Sequence, residues 1–384
     1  MKHLLTILLS VTVISSYAQI DLAEKFRELY EKEKYEDIIV YRPQKDEELT
    51  AKAYYYIAMS YYMKEMDEEA LKNFDLAINK GPVDADMYFY KGMTLMYQGK
   101  YKEAIVLVDK AIQMLPDEPD FYGYKGEALY ALDQKDSALH YFLKAIALPE
   151  CKLRFYQLAA ELYMDKKDYK KAIEVFESAL STLDKGSKDS QTFLYNLGLA
   201  NQVAGNTEAA KDRFEQAILL DTSDYRCIAK LIQCYYSLNQ VDKAKPYKQK
   251  LYAAHKKNAL SGGMEKMFCF DQFIWEGKRV MAFENFVELE EHDGPMFVKH
   301  HFYVLDDDGE IICRIDSESS VAVRMNDPKH KYILGMWKGN THASYWDYIF
   351  NDDYNYSELK SEVLKILNGA VKPSASSSYG NKDK

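Results

Sequence analysis

The residues of this chain whose types could do chemistry are five cysteines, eight histidines and a surplus of carboxylates. Cys313, His342 and Asp347 are the residue types of a thiol nucleophile, a base and an orienting acid. No local signature surrounds them, and Cys313 falls mid-strand among apolar residues, so no catalytic residue is assigned. Asp306–Glu310 has the acid density of a calcium loop. A calcium register starting at Asp306 needs Gly at its sixth position and finds Ile311, so a hairpin turn ending in Gly309 accounts for it better. His300 alternates with Val298, Phe302 and Val304 and is expected in the core, while His292 and His301 meet only if the chain folds back. C-x-x-C and H-x3-5-H spacings are absent, which leaves no metal site and no cofactor to expect. Trp275, Trp337, Trp346 and Tyr345 are expected in a sheet core rather than on a ligand surface. Cys227 and Cys234 fall on one predicted helix with about 10 Å of rise between them, too far for a disulfide. Cys269 and Cys313 lie on different predicted strands, where pairing is open but buried free thiols are expected.

The chain that must position these groups has 384 residues, Lys+Arg 50 against Asp+Glu 60 and a net charge of −10. Its length suits two or three domains, and 47% apolar residues suffice for packed cores. The acid excess argues against a nucleic-acid partner, which needs Lys and Arg to neutralise phosphates. Residues 1–18 run from Lys2 through the apolar stretch Leu4–Ile14 to Ser16-Tyr17-Ala18, the layout of a cleaved signal peptide. No cysteine stands near the cut to carry a lipid, and no later stretch reaches the length of a membrane span. Export to a periplasm or beyond is the expectation.

The middle of the chain repeats. Counting Ala51 as position 1, Tyr54, Ala58, Ala70, Phe74, Ala77 and Pro82 recur 34 residues on as Tyr88, Gly92, Ala104, Val108, Ala111 and Pro116. The next steps give Tyr122, Gly126, Ala138, Phe142 and Ala145, then Tyr156, Ala160, Ala172, Phe176 and Ala179. After four inserted residues come Leu194, Gly198, Ala210, Phe214 and Ala217, and a weaker unit from Tyr225 keeps Ile228, Leu231, Tyr235 and Ala244. This pattern resembles the tetratricopeptide repeat, with Tyr replacing its first Trp in four units. The resemblance covers 51–258 as units 51–84, 85–118, 119–152, 153–186, 191–224 and 225–258, with 19–50 as a degenerate leading helical pair. It implies an all-α solenoid in which stacked helix pairs make the core.

The resemblance also implies that the first helix of each unit lines a concave groove. Its positions there hold Tyr55, Tyr62, Phe89, Met93, Met96, Tyr97, Tyr124 and Tyr130, large and adaptable side chains suited to a guest peptide or helix. In later units, Asn196, Arg226 and Lys230 match three slots of the clamp by which some family members hold a peptide carboxylate. Gln157 and Glu161 depart from the other two slots, and Glu161 would repel the ligand.

After Ser261-Gly262-Gly263 the period changes. Runs at Met267–Trp275, Arg279–Val287, Met296–Leu305, Glu310–Ile315, Ser320–Arg324, Tyr332–Lys338 and Ala343–Phe350 read as strands separated by turns. Leu359, Val363, Ile366 and Leu367 mark one helix started near Asn355. A smaller α+β domain over 264–368, an antiparallel meander with one C-terminal helix, is expected, then a disordered tail over 369–384. The leading functional expectation is a non-catalytic exported adaptor that holds another envelope protein in the repeat groove. Alternatives are a ligand-binding or hydrolytic C-terminal module tethered by the repeats, and self-association through the groove.

Overall fold

The computed structural model describes residues 22–41, 49–287, 296–320, 331–351 and 355–374. The signal-peptide segment 1–18, His292 and most of the 369–384 tail lie outside them. The chain forms two compact units that divide after Val175.

The first unit is built of helix pairs. A leading pair, α1 over 22–31 and α2 (Tyr35–Ile39), is followed by α3 (Ala51–Met63), α4 (Asp67–Lys80), α5 (Ala85–Tyr97), α6 (Tyr101–Met114), α7 (Pro119–Ala131), α8 (Lys135–Ile146) and α9 (Leu153–Asp165). The first helices α3, α5, α7 and α9 start at the residues where the sequence period starts. Local chemistry sets those starts: Thr50 accepts from the Ala53 amide at 3.2 Å, Asp84 from the Met87 amide at 3.2 Å, and Pro119 fills a first-turn position that needs no donor. The ends are equally regular. Glu65, Gly99, Asp133 and Lys167 all take positive φ at one position of the repeat. The next amide then reaches back to close the turn, as in Met66 N–H to Tyr61 C=O at 2.9 Å. Three of these four are not glycine, so only two of the repeat turns in the whole chain carried a glycine signal.

Small residues let the paired helices approach. A Cβ on Gly126 would sit 2.7 Å from the Phe142 ring, whereas one on Gly92 would come no nearer than 3.2 Å to Val108 and 3.3 Å to the Ala104 carbonyl. Gly123 makes room across repeats, since a Cβ there would lie 2.1 Å from the ring of Phe155 on α9.

The second unit holds the end of α10 (Tyr169–Thr182), then α11 (Lys188–Val203), α12 (Thr207–Leu220), α13 (Tyr225–Ser237) and α14 (Val241–Lys256). Its six strands are β1 (Met267–Trp275), β2 (Lys278–Asn285), β3 (Met296–Leu305), β4 (Ile311–Ser320), β5 (Lys331–Lys338) and β6 (Thr341–Asn351), followed by α15 (Tyr356–Leu367). They form an antiparallel meander in sequence order, as expected. The run expected at Glu310–Ile315 is corrected to a longer strand that continues to Ser320, and 321–324 of the run expected at Ser320–Arg324 lie outside the described residues. Within this strand the polar side chains of Asp316, Ser317 and Glu318 are engaged in place. Asp316 meets His301 at 2.8 Å, Ser317 meets His300 at 3.1 Å and Glu318 meets His342 at 3.1 Å.

One face of this sheet shares a core with the last helix pair. Phe268, Phe270, Val280, Phe302 and Ile315 pack in one cluster with Ile228, Leu231, Leu251, Leu359, Val363 and Ile366. Asn355 caps α15 by accepting from the Ser357 amide at 2.9 Å. β1 and β4 are separated by two strands at about 4.8 Å spacing, so Cys269 and Cys313 cannot bridge, and all five cysteines are free thiols.

Candidate functional site

The helix pairs of the first unit place aromatic side chains in a ladder along the first helices α3, α5 and α7. Tyr62 lies 5.8 Å from Tyr90 and 5.8 Å from Tyr97, ring to ring, and its hydroxyl is 3.4 Å from that of Tyr97. Phe89 lies 5.6 Å from Tyr124, and Tyr124 meets Phe155 edge-on at 5.5 Å. Not every expected groove residue faces out. Tyr55, Phe89 and Met93 are buried at 7%, 5% and 5% exposure, so they pack neighbouring repeats together instead of offering contact area. Tyr62, Met96 and Tyr124 are half-buried, whereas Tyr97 (67%) and Tyr130 (43%) are exposed. The presented surface is thus an outer row of Tyr62, Met63, Met96, Tyr97 and Tyr130, backed by an inner row of packing aromatics.

Charge frames this row. Lys152 pairs with Asp120 while its ammonium lies 5.0 Å from the centre of the Tyr124 ring, and Arg154 meets Glu127 at 2.8 Å. Burial pushes the Glu127 carboxyl above its ordinary pKa, against the opposing pull of Arg154 and Lys152. A hollow of about 270 Å³ lies beside Tyr130, walled by Leu158, Leu162 and Met164 with Glu161 and Asp165 at its polar side.

The residues matching and departing from the carboxylate clamp have neighbours of their own. Gln157 donates to Glu161 at 2.9 Å in the first unit. In the second unit, Arg226 lies 3.7 Å from Asp224 and over the Tyr195 ring at 5.7 Å. Lys230 donates to Gln233 at 3.4 Å, and Gln233 donates to the Cys269 carbonyl of β1 at 3.0 Å. Asn196 is half-buried.

Among the described residues, the strand region does not bring Cys313 and His342 together. Cys313 belongs to the core on the helix-packed face, whereas Arg314, Asp316 and Glu318 alternate onto the opposite face, where Glu318 holds His342. Burial also pushes the Cys313 thiol up, away from a thiolate. The side chains of Asp347 and Trp346 lie outside the described residues. Trp275 donates to Asn368 at 2.7 Å and Trp337 to Glu318 at 3.3 Å, while Tyr345 is core. Asp306 accepts the amides of Asp308 at 3.1 Å and Glu310 at 2.9 Å, which confirms a hairpin turn. Among the described residues no group of His, Cys, Asp and Glu is placed to hold a metal.

Two buried carboxylates that sequence reasoning did not single out organise the second unit. Glu284 on β2, 4% exposed, takes Lys248 of α14 at 2.6 Å and the Tyr252 hydroxyl at 2.7 Å. Burial alone would raise its pKa, but Lys248, His300 and Lys299 outweigh that and hold it well below the ordinary carboxyl value. Asp271 on β1 is fully buried and accepts from Lys360 at 2.8 Å and from the Tyr356 hydroxyl of α15. The available signal was an acid inside an otherwise apolar strand run: such a group stays buried only with a cationic partner.

Comparison with known proteins bears on the helical region. Residues 151–264 match a tetratricopeptide-repeat family model and residues 68–119 match a second one. Residues 97–179 match the model of the anaphase-promoting complex, cyclosome, subunit 3. The strand region is recognised by no family model. No curated protein matches the chain. Among solved structures, the C-terminal part of a TPR repeat-containing protein from Cytophaga hutchinsonii aligns at 20% identity over 64% of this chain and 93% of its own, with a TM-score of 0.44. YrrB, described as a TPR protein with an unusual peptide-binding site, aligns at 22% identity over 54% of this chain and 97% of its own, TM-score 0.39. MamA from Desulfovibrio magneticus RS-1 aligns at 18% identity over 46% and 97%, TM-score 0.38.

Proposed function

Because this chain is a tetratricopeptide-repeat protein, we propose that it works as an exported, non-catalytic adaptor, holding a peptide segment or helix of another envelope protein against the first unit. Repeat arrays of this kind use their extended concave surfaces to bind proteins. The observation that carries the reading is the row Tyr62, Met63, Tyr97 and Tyr130. It combines exposed apolar area at equivalent ends of α3, α5 and α7 with half-buried aromatics behind it. Tyrosine and methionine there supply contact area that adapts to a guest, with hydroxyls for its polar groups. Export rests on the basic, apolar and small-residue order of residues 1–18, and no helix among the described residues is long and apolar enough to cross a membrane.

The test is a crosslinked pull-down from the native envelope with the full chain beside a Tyr97→Lys/Tyr130→Lys variant. Both positions are exposed, so the variant keeps its helical content while its partner disappears. Undiminished capture by a folded variant removes the row from the binding surface. Met93 is unsuitable for this purpose, because a lysine at a buried position would report on folding instead.

A further inference from the structure

The second unit contains a cleft that peptide capture by the first unit does not use. It opens between α14 and the sheet and has a volume of about 440 Å³, within the usual range for small-molecule sites. Its walls are aromatic. Tyr236 meets Phe270 at 4.9 Å and Tyr356 at 4.9 Å, and Tyr252 stands on the α14 side. The rings are held by their neighbours, so the space between them is preformed.

The polar groups of the cleft are unbalanced towards donors. Glu284 is the only carboxylate among the described lining residues, and both its oxygens are engaged, Oε2 by Lys248 and Oε1 by Tyr252. The Tyr252 hydroxyl itself accepts from Lys299 at 2.9 Å. His300 has Nδ1 3.1 Å from Ser317 Oγ and Nε2 3.6 Å from Glu284, and burial holds its pKa below the ordinary value, which keeps the ring neutral at pH 7. An ammonium has three donors. Lys248 directs two at Glu284 and, at 3.4 Å, at the Tyr236 hydroxyl. Lys245 stands at the mouth with its side chain 69% exposed and pairs with Asp242, one turn away, in a solvent-screened contact. An entering cation would meet ammonium groups and a saturated carboxylate. An entering anion would gain charge-assisted hydrogen bonds from Lys245 and Lys248 while its body rests on Tyr236 and Tyr252.

We propose that this cleft is a binding site for a small molecule carrying a carboxylate on an aromatic body. The site lies where the last helix pair of the repeats meets the strand region that no family model matches, and it gives that junction a role separate from holding a protein partner.

Titration of the full chain with benzoate, followed by ligand-observed NMR, tests this, with benzylamine as the charge-reversed probe and acetate as the ring-less one. Benzoate should bind saturably in the millimolar range typical of a fragment, and benzylamine and acetate should not. Lys245→Glu should weaken benzoate about tenfold, the loss of one charge-assisted hydrogen bond. Lys245→Arg should restore binding. Lys250→Glu makes the same charge change on α14 outside the cleft and should leave affinity unchanged. The proposal is overturned by benzylamine binding as well as benzoate, by no saturable benzoate binding below about 10 mM, or by Lys250→Glu weakening binding as much as Lys245→Glu.

Discussion

Glu284→Ala is the sharpest test of how the second unit is held together. Glu284 is 4% exposed and joins β2 to α14 through Lys248. Removing one partner of a buried pair costs about 3–5 kcal/mol, because the other charge stays buried. Lys248 keeps a 23% exposed side chain and can turn its ammonium towards water, which puts the cost near 3 kcal/mol. Tyr252 adds little, since its hydroxyl retains the Asn285 carbonyl at 3.1 Å. Glu284→Gln keeps the shape and loses only the charge, so it should cost about 1.5–2 kcal/mol. Glu284→Leu combined with Lys248→Met replaces both charges with apolar volume and should lie within about 1 kcal/mol of the parent. All three tryptophans lie after residue 264, so urea unfolding followed by tryptophan fluorescence reports this unit without the first repeats.

The pH dependence has a definite sign. Glu284 has its folded-state pKa lowered from 4.5, so its contribution is complete above that value and is lost as pH falls through the folded-state pKa. The gap between parent and Glu284→Gln should be constant above about pH 6 and close in acid. A cost below about 1 kcal/mol for Glu284→Ala, or a double variant as unstable as the single one, would refute the view that this pair is desolvated and mutually dependent.

Gly123→Ala gains about 1 kcal/mol of helix propensity but drives its methyl into the Phe155 ring, so chemical denaturation should show net destabilisation. Gly92→Ala meets only Val108 and the Ala104 carbonyl at 3.2–3.3 Å, and it should be within about 1 kcal/mol of neutral. Asp271→Asn weakens the hold on Lys360 and Tyr356 by about 2 kcal/mol, read as faster amide exchange in α15. Burial pushes the thiols of Cys151, Cys234 and Cys269 up to about 12, so alkylation at pH 8 should be slow in the folded protein and prompt in urea, with no change on prior reduction.

The sequence by itself determined what repeats locally. A helix pair needs a small residue where its partner crosses and a large one to fill the gap, so Gly126 with Phe142 and Gly198 with Phe214 were readable as a period. Helix starts at Ala51, Ala85, Pro119, Leu153 and Tyr225 follow from the same spacing. The meander was equally legible, because alternation and Gly-rich turns are local signals. Tertiary structure decided what depends on distant neighbours. Tyr55 and Tyr56 are adjacent and chemically identical, yet Tyr55 is buried and Tyr56 half-exposed, because the packing of successive repeats chooses the face. Likewise, Cys313 and His342 are suitable types for chemistry, but the two-residue period of β4 puts the thiol on one face and the Glu318 partner of His342 on the other. Glu284 and Lys248 are 36 positions apart on a strand and a helix, with no spacing rule to link them. Their pairing arises only when α14 lies against the sheet, where burying one charge requires the other.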